Sequence, residues 1–320
     1  MTITLRGVLT LALLACSSPA FALNIVLSND DGLTSNVAAL YSALKAAGHD
    51  VIVSVPCTAQ SGRGAAIVMY STTVIVPDND KTQIEAEGGC HNGAAPTGAP
   101  AVGPFMKTGY ANGDFFYVHG TPVMATLYAL DVLAPARWGG NPDLVLSGPN
   151  EGQNLGLILS SSGTVGNAQM AAARGLPAIA LSAGPDTVDN VTLADPDSAI
   201  VAGLALKLLE KLEAKVDPDE PLLPPGLALN VNFPTGSTPN TEFAFSRIGT
   251  FQLYQLRFKG TAPYGLSISI NDRSTATPEQ AEDEAIVNAT KVSVSAMQVG
   301  FEASSKVQRW LEKQLRVLFP

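Results

Sequence analysis

The sequence predicts an α/β fold: three α/β/α layers around a mostly parallel, Rossmann-like sheet, with a C-terminal antiparallel β plus helix appendage. Three observations carry this expectation. Short apolar runs alternate with helical periodicity through the first two thirds of the chain. The first run, Asn24-Ile25-Val26-Leu27-Ser28, breaks at Asn29-Asp30-Asp31-Gly32, and Val37, Leu40, Leu44 and Ala47 then recur at helical spacing. After Glu242 the pattern changes to strand-like alternation.

Residues 25–28 read as the first strand and 37–47 as the first helix, which Gly48 closes. Residues 51–55 form a second strand, 71–76 are β-rich, and the Gly-, Ala- and Pro-dense stretch 88–113 reads as a long surface excursion. A strand at 115–119 leads into a helix at 122–133, with Thr121 as N-cap and Pro122 at the first helical position. Then come a strand at 143–147, a helix at 165–174 and a strand at 178–182. The helix at 197–214 carries Ile200, Leu204, Leu208 and Leu212 on one face. Residues 218–225 are a proline-rich connector and 227–233 a strand. Residues 243–258, 266–270 and 292–297 read as antiparallel strands, and 302–318 as the final helix. The expected organisation is a signal peptide over 1–22, an α/β core over 23–241 that carries the chemistry, and a β-hairpin and helix extension of the same domain over 242–320.

At 46% hydrophobic and 15% charged, the 320 residues sustain a large core. The net charge of -9 repels phosphate backbones, so no nucleic-acid duplex is expected as partner. An anionic ligand must be received locally, by a metal or by backbone amides. Arg6, the apolar run 8–15 and Ala20-Phe21-Ala22 have the layout of an export signal, placing the mature protein in the periplasm or outside the cell. Leu13-Leu14-Ala15-Cys16 loosely matches a lipoprotein box, which leaves lipidated and soluble export both open. No later segment reaches ~18 uninterrupted apolar residues, so no membrane span is expected. Cys57 and Cys90 form an even pair, read either as a disulfide or as two separately buried thiols.

Four segments concentrate chemistry-bearing residues: Asn29-Asp30-Asp31-Gly32, Gln60-Ser61-Gly62-Arg63-Gly64, the stretch 147–156, and Ser160-Ser161-Ser162-Gly163-Thr164-Val165-Gly166 opening a helix. At least three follow a strand, and ligands bind at the carboxyl edge of such sheets. Adjacent carboxylates repel, and a cation between them relieves that repulsion. Taken singly, each segment also has a bland reading: an N-cap with a solvated neighbour, a plain loop, or a turn asparagine. Joint placement at strand ends favours metal-assisted phosphoryl chemistry. No GxGxxG follows the first strand, which disfavours a dinucleotide dehydrogenase.

These segments, together with Leu229-Asn230-Val231-Asn232-Phe233-Pro234, resemble the SurE-type survival-protein nucleotidase and phosphatase family, in that family's order from Leu23 to about Phe233. The exported amino terminus and the 88–103 insert are similar to its secreted acid-phosphatase branch. The resemblance implies one divalent metal ion, Mg²⁺ or Mn²⁺ with Ca²⁺ also compatible, held by Asp30, Asp31, Ser61 and Asn150. It implies phosphate contacts from Gly32, Asn154, Ser162, Gly163 and Thr164, with Asp30, Asp31 and Asn154 as the catalytic set. The expected substrate is a small phosphate monoester, and the expected assembly a homodimer or homotetramer. Arg63 departs from the family pattern, as does the segment 291–297. Arg63 reads equally as a phosphate contact or a solvated loop residue. His119 reads as a structural histidine or a leaving-group acid, and His49 and His91 as solvated. The rival from another class is an exported solute-binding module that holds an anion without turnover.

Overall fold

The computed structural model describes residues 22–68, 88–217, 220–260, 265–300 and 304–318. Positions 1–21 of the expected signal peptide, and the expected β-rich stretch 71–76, lie outside the described residues.

The alternation of apolar residues translates directly into layers. In β1 (Asn24–Ser28), Ile25 and Leu27 face one side of the sheet and Val26 the other. On the first side they meet Val37, Leu40 and Leu44 of α1 (Ser35–Ala46) and Val201, Leu204 and Leu209 of α5 (Pro196–Glu213). On the second, Val26 joins Ile52 of β2 (Asp50–Pro56) and Val145 of β5 (Leu144–Glu151). There they meet Ala129 and Leu130, just after α2 (Pro122–Tyr128), and Val165 and Ala168 of α4 (Gly163–Ala173). Leu40 and Leu44 are fully buried, which stabilises the fold by roughly 2 kcal/mol each. Thr34 caps α1 by accepting from the Val37 N–H. Thr121 holds the N-cap position of α2 and Pro122 its first turn, but the Thr121 side chain makes no capping bond. A π turn over Ala129–Leu133 carries that helix on into α3 (Ala134–Trp138).

The remaining strands of the main sheet are β3 (Val102–Pro104), β4 (Phe115–Val118), β6 (Ala178–Ala183), β7 (Leu227–Asn232), β8 (Phe243–Ser246) and β11 (Val292–Gln298). Its order is β3-β4-β2-β1-β5-β6-β7-β11-β8, parallel except where β3 meets β4 and β11 meets β7. Strands β9 (Tyr254–Lys259) and β10 (Gly265–Ile270) form a separate antiparallel hairpin. The expected antiparallel stretch 243–258 therefore splits: β8 joins the main sheet parallel to β11, and only its end enters the hairpin. Helix α6 (Glu284–Val287) precedes β11, and α7 (Ser305–Leu315) is the last helix. Among the described residues, no helix is long and apolar enough to cross a membrane.

Other expectations about the core also need correction. The 88–113 stretch is not merely a surface excursion: Cys90, Ala94, Ala95, Ala99 and Phe105 are buried in the main core, and Cys57 and Cys90 form a disulfide. His49 is buried, because its Nδ1 accepts the Leu23 N–H (3.2 Å) where β1 begins. The strand expected at 143–147 continues to Glu151, with its register against β6 shifting between Ser147 and Asn150. Gly148 makes that shift possible, since at φ +114° a Cβ would lie 2.1 Å from the Leu181 carbonyl oxygen.

Candidate active site

The carboxyl ends of β1, β2 and β5 and the amino terminus of α4 converge on the acid pair. Asn29 builds the turn: its amide donates to the Gly32 carbonyl (2.7 Å), and its Oδ1 accepts the Gly32 N–H (3.0 Å). Gly32 has φ +83°, a conformation a side chain resists, and a Cβ there would sit 3.1 Å from the Pro56 carbonyl oxygen. Asp30 and Asp31 are thereby turned inward, 3% and 7% exposed.

Each acid has its own set of donors. Asp30 accepts from the Thr164 hydroxyl (2.5 Å) and from the Gly163 N–H at the start of α4. Gly163 is required by this approach, because a Cβ would lie 2.6 Å from the Asp30 Cβ. Ser162 caps α4 by accepting the Val165 N–H (3.1 Å). Asp31 accepts from the Ser61 hydroxyl (2.8 Å) and from the Glu151 N–H. The Ser61 loop is seated by the Gln60 N–H on the Asp30 carbonyl (2.7 Å) and by the Gly64 N–H on the Ser161 carbonyl (2.9 Å).

Burial, and then the charge of Asp31, push the Asp30 carboxyl up to about 7. Burial raises Asp31 too, against the pull of the Ser61 hydroxyl, the Glu151 N–H and the charge of His91. Without a counter-charge, two such acids retain a proton near neutral pH. Among the described residues, no group of three or more His, Cys, Asp or Glu is arranged to hold a metal ion. A cation here therefore needs neutral oxygens as well as the two acids, and the donor set suits that. The Ser61 hydroxyl donates its hydrogen bond to Asp31, which leaves its oxygen lone pairs unused by that bond. The Asn150 amide donates to the Gly152 carbonyl (2.7 Å), while its buried Oδ1 has no hydrogen-bond partner among the described residues. Two carboxylates with a hydroxyl and an amide oxygen form a hard, all-oxygen set that fits a divalent cation.

The structure brings Asp30, Asp31, Ser61, Gly163 and Thr164 into one hydrogen-bonded group, with Asn150 adjoining through Glu151. Asn154 is buried nearby and held on three sides: its N–H donates to Asn232 Oδ1 (2.7 Å), its amide to Ser182 Oγ (2.9 Å), and its carbonyl accepts from Asn230 (3.0 Å). The Gly32 N–H is committed to Asn29, and Ser162 and Thr164 to the helix cap and to Asp30. Arg63 is exposed. His119 is buried, with its N–H on the Ala101 carbonyl (2.7 Å).

Several participants were not singled out from the sequence. His91 is half-buried beside the acid turn, where a Gly32 Cβ would meet its Cβ at 3.4 Å, so its expected solvated position is corrected. The disulfide places it there, and the His91 N–H donates to the Cys57 carbonyl (2.7 Å). Nothing in local sequence pairs residue 91 with residue 32. Asn167 ties α4 to the Asn29 carbonyl (3.3 Å) and to Ser147 Oγ (3.1 Å). Asn230 and Asn232 stood in the sequence only as part of the 229–234 motif, with no role given to them, although two asparagines at period two in an apolar strand were a readable signal.

Comparison with known proteins gives the family. The family profile described as Survival protein SurE matches residues 25–255. An acid phosphatase of Yarrowia lipolytica is 33% identical over 217 residues, 66% of this chain; the chain spans only 56% of that protein's length. A 5'-nucleotidase SurE of Polaromonas naphthalenivorans is 29% identical over 299 residues, covering 92% of this chain and 98% of the relative. Among solved structures, the SurE protein from Aquifex aeolicus superposes with a TM-score of 0.63 at 24% identity, covering 91% of this chain and 98% of that one, a likeness of fold.

Proposed function

Because the chain belongs to the SurE survival-protein family, we propose that it is a divalent-metal-dependent phosphomonoesterase, a 5'/3'-nucleotidase or acid phosphatase acting on nucleoside monophosphates or related monoesters. The observation that carries this reading is the buried acid pair at the sheet edge, surrounded by an all-oxygen donor set. Asp30, Asp31, Ser61 and Asn150 would hold one Mg²⁺ or Mn²⁺, which when bound supplies Lewis-acid polarisation of a phosphoryl oxygen.

The chain's own groups do the rest. Thr164 and Gly163 fix Asp30, and Ser61 and Glu151 fix Asp31, so neither carboxylate rotates away. One of the two accepts the proton of the attacking water. The Asn154 amide spends one hydrogen on Ser182 and keeps its second for a phosphoryl oxygen. Gly32, next to the acid pair, and the 162–164 turn that bonds Asp30 would lie against the remaining phosphate oxygens. A formed disulfide supports an oxidising, exported setting. Apolar side chains exposed on the β9–β10 hairpin and α7, Phe258, Ile268 and Trp310 among them, support assembly into a homodimer or homotetramer.

The test is a panel of nucleoside monophosphates and p-nitrophenyl phosphate with purified protein. Hydrolysis supports the proposal, and a preference for nucleotides separates nucleotidase from broad phosphatase. Tight anion binding in chelator with no hydrolysis of any monoester would instead favour a non-enzymatic solute-binding module.

A further inference from the structure

Glu284 lies outside the residues the family profile matches, yet it is completely buried beneath the candidate site. Its Oε1 accepts the Gly156 N–H (2.8 Å), and its Oε2 accepts the Asn230 amide (2.9 Å). The Ser295 hydroxyl, on β11, also bonds this carboxylate. Three donors from three elements therefore end on one carboxylate supplied by the C-terminal extension. The Asn230 amide that it holds is the same group that binds the Asn154 carbonyl (3.0 Å). Gly156 lies two residues beyond Asn154 on the loop leaving β5. Glu284 thus holds the 154–156 segment at two points, the Gly156 N–H directly and the Asn154 carbonyl through Asn230, and no hydrogen bond among the described residues joins it to either acid of the pair. A buried carboxylate is costly unless its donors are matched, and removing it leaves the Gly156 N–H and one of the two Asn230 amide hydrogens buried without an acceptor, the other staying on the Asn154 carbonyl.

We propose that Glu284 is a positioning residue: it locks the 154–156 loop so that the Asn154 amide meets the phosphoryl oxygens of the substrate. The inference rests on the phosphomonoesterase reading only through the role assigned to Asn154. It makes the C-terminal extension part of the site's supporting structure, although that extension contributes no group to the acid pair.

The experiment compares Glu284→Ala, Glu284→Gln and Asn230→Ala with the unaltered protein. Each is measured for KM and kcat on p-nitrophenyl phosphate, for inorganic phosphate binding by calorimetry, and for Mn²⁺ affinity. Glu284→Ala should weaken phosphate binding and raise KM by about tenfold, the scale of one lost charge-assisted hydrogen bond, with Mn²⁺ affinity within about twofold. Glu284→Gln keeps an acceptor oxygen and should restore phosphate binding to within about threefold. Asn230→Ala breaks the same link from its other end, and decides the matter if Glu284→Ala does not fold. Phosphate binding and KM unchanged in both Ala variants would overturn the positioning role, as would equal loss of phosphate and Mn²⁺ affinity. Loss of phosphate binding in a protein that hydrolyses no monoester would keep this inference and defeat the enzymatic reading. No phosphate binding by the unaltered protein would defeat both.

Discussion

Removing the Cys57–Cys90 bridge should destabilise the protein by about 3–4 kcal/mol. The two cysteines are separated by 33 positions, and the entropy of closing a loop of that length in the unfolded chain corresponds to about 3.7 kcal/mol at 25 °C. Both are buried in the main core beside Ala94, Ala95 and Phe105, so a Cys57→Ala, Cys90→Ala variant also loses some packing, which adds to the effect. Urea unfolding of the two proteins, followed by circular dichroism, reads this directly. The midpoint should fall by roughly 1–2 M, since a chain of this size has an m-value of about 3 kcal/mol/M. At roughly 2 °C per kcal/mol, the thermal midpoint should drop by about 7 °C. Coincident unfolding curves would exclude this effect, because they would mean that the bridge does not restrict the unfolded chain.

Three further outcomes are expected. Gly163→Ala should cost about 1–3 kcal/mol and depress turnover, because its Cβ would lie 2.6 Å from the Asp30 Cβ and 2.8 Å from Pro122 Cγ; Gly203→Ala, in α5 with nothing within 4 Å, should be neutral or stabilising, and equal effects in both would contradict the site's packing. Burial pushes the Glu284 carboxyl from 4.5 up to about 7, so the folded state favours the protonated form: the associated stability is present below pH 4.5 and is lost as pH rises through 7. Relative to Glu284→Gln, the unaltered protein should lose up to about 3 kcal/mol between pH 4.5 and 8, and parallel stability–pH curves would exclude this. Asp30→Asn should reduce hydrolysis by at least ~100-fold, yet raise the melting temperature in chelator at pH 8, since it removes a charge that burial and Asp31 both oppose; a lower melting temperature would refute the electrostatic account.

The core of the fold was legible because its rules are local. Apolar runs such as 25–27 and 51–53 announce strands, and Leu40 and Leu44 announce a helix face. The acid turn was legible only jointly: alone, Asn-Asp-Asp-Gly reads as a capped turn, and its place at a strand end beside the other three segments is what set it apart. What sequence reasoning missed depends on distance along the chain. His91 reaches Gly32 only through a bridge to Cys57, and the two partners of His49, Leu23 and Glu213, both lie far from it in sequence. The continuation of β5 through Asn150 hinges on one glycine whose Cβ would strike a neighbouring strand, a constraint invisible without that strand. Strand β8 looked like part of a hairpin because alternation fixes only which faces its residues occupy, not its partner. Glu284 showed no signal in sequence, since a charged residue in a polar segment ordinarily reads as solvated.

We propose that a cation displaces the proton that the buried Asp30–Asp31 pair retains near neutral pH, and so enables hydrolysis. The most direct test pairs Mn²⁺ titration calorimetry from pH 5.5 to 8.5 with phosphatase assays in EDTA, before and after Mg²⁺ or Mn²⁺ is restored. Because the Asp30 carboxyl is held at about 7, Mn²⁺ affinity should fall about tenfold for each pH unit below that value and level off above it, with hydrolysis lost in EDTA and recovered on adding metal. Undiminished hydrolysis after complete chelation, with Mn²⁺ affinity independent of pH, would contradict it.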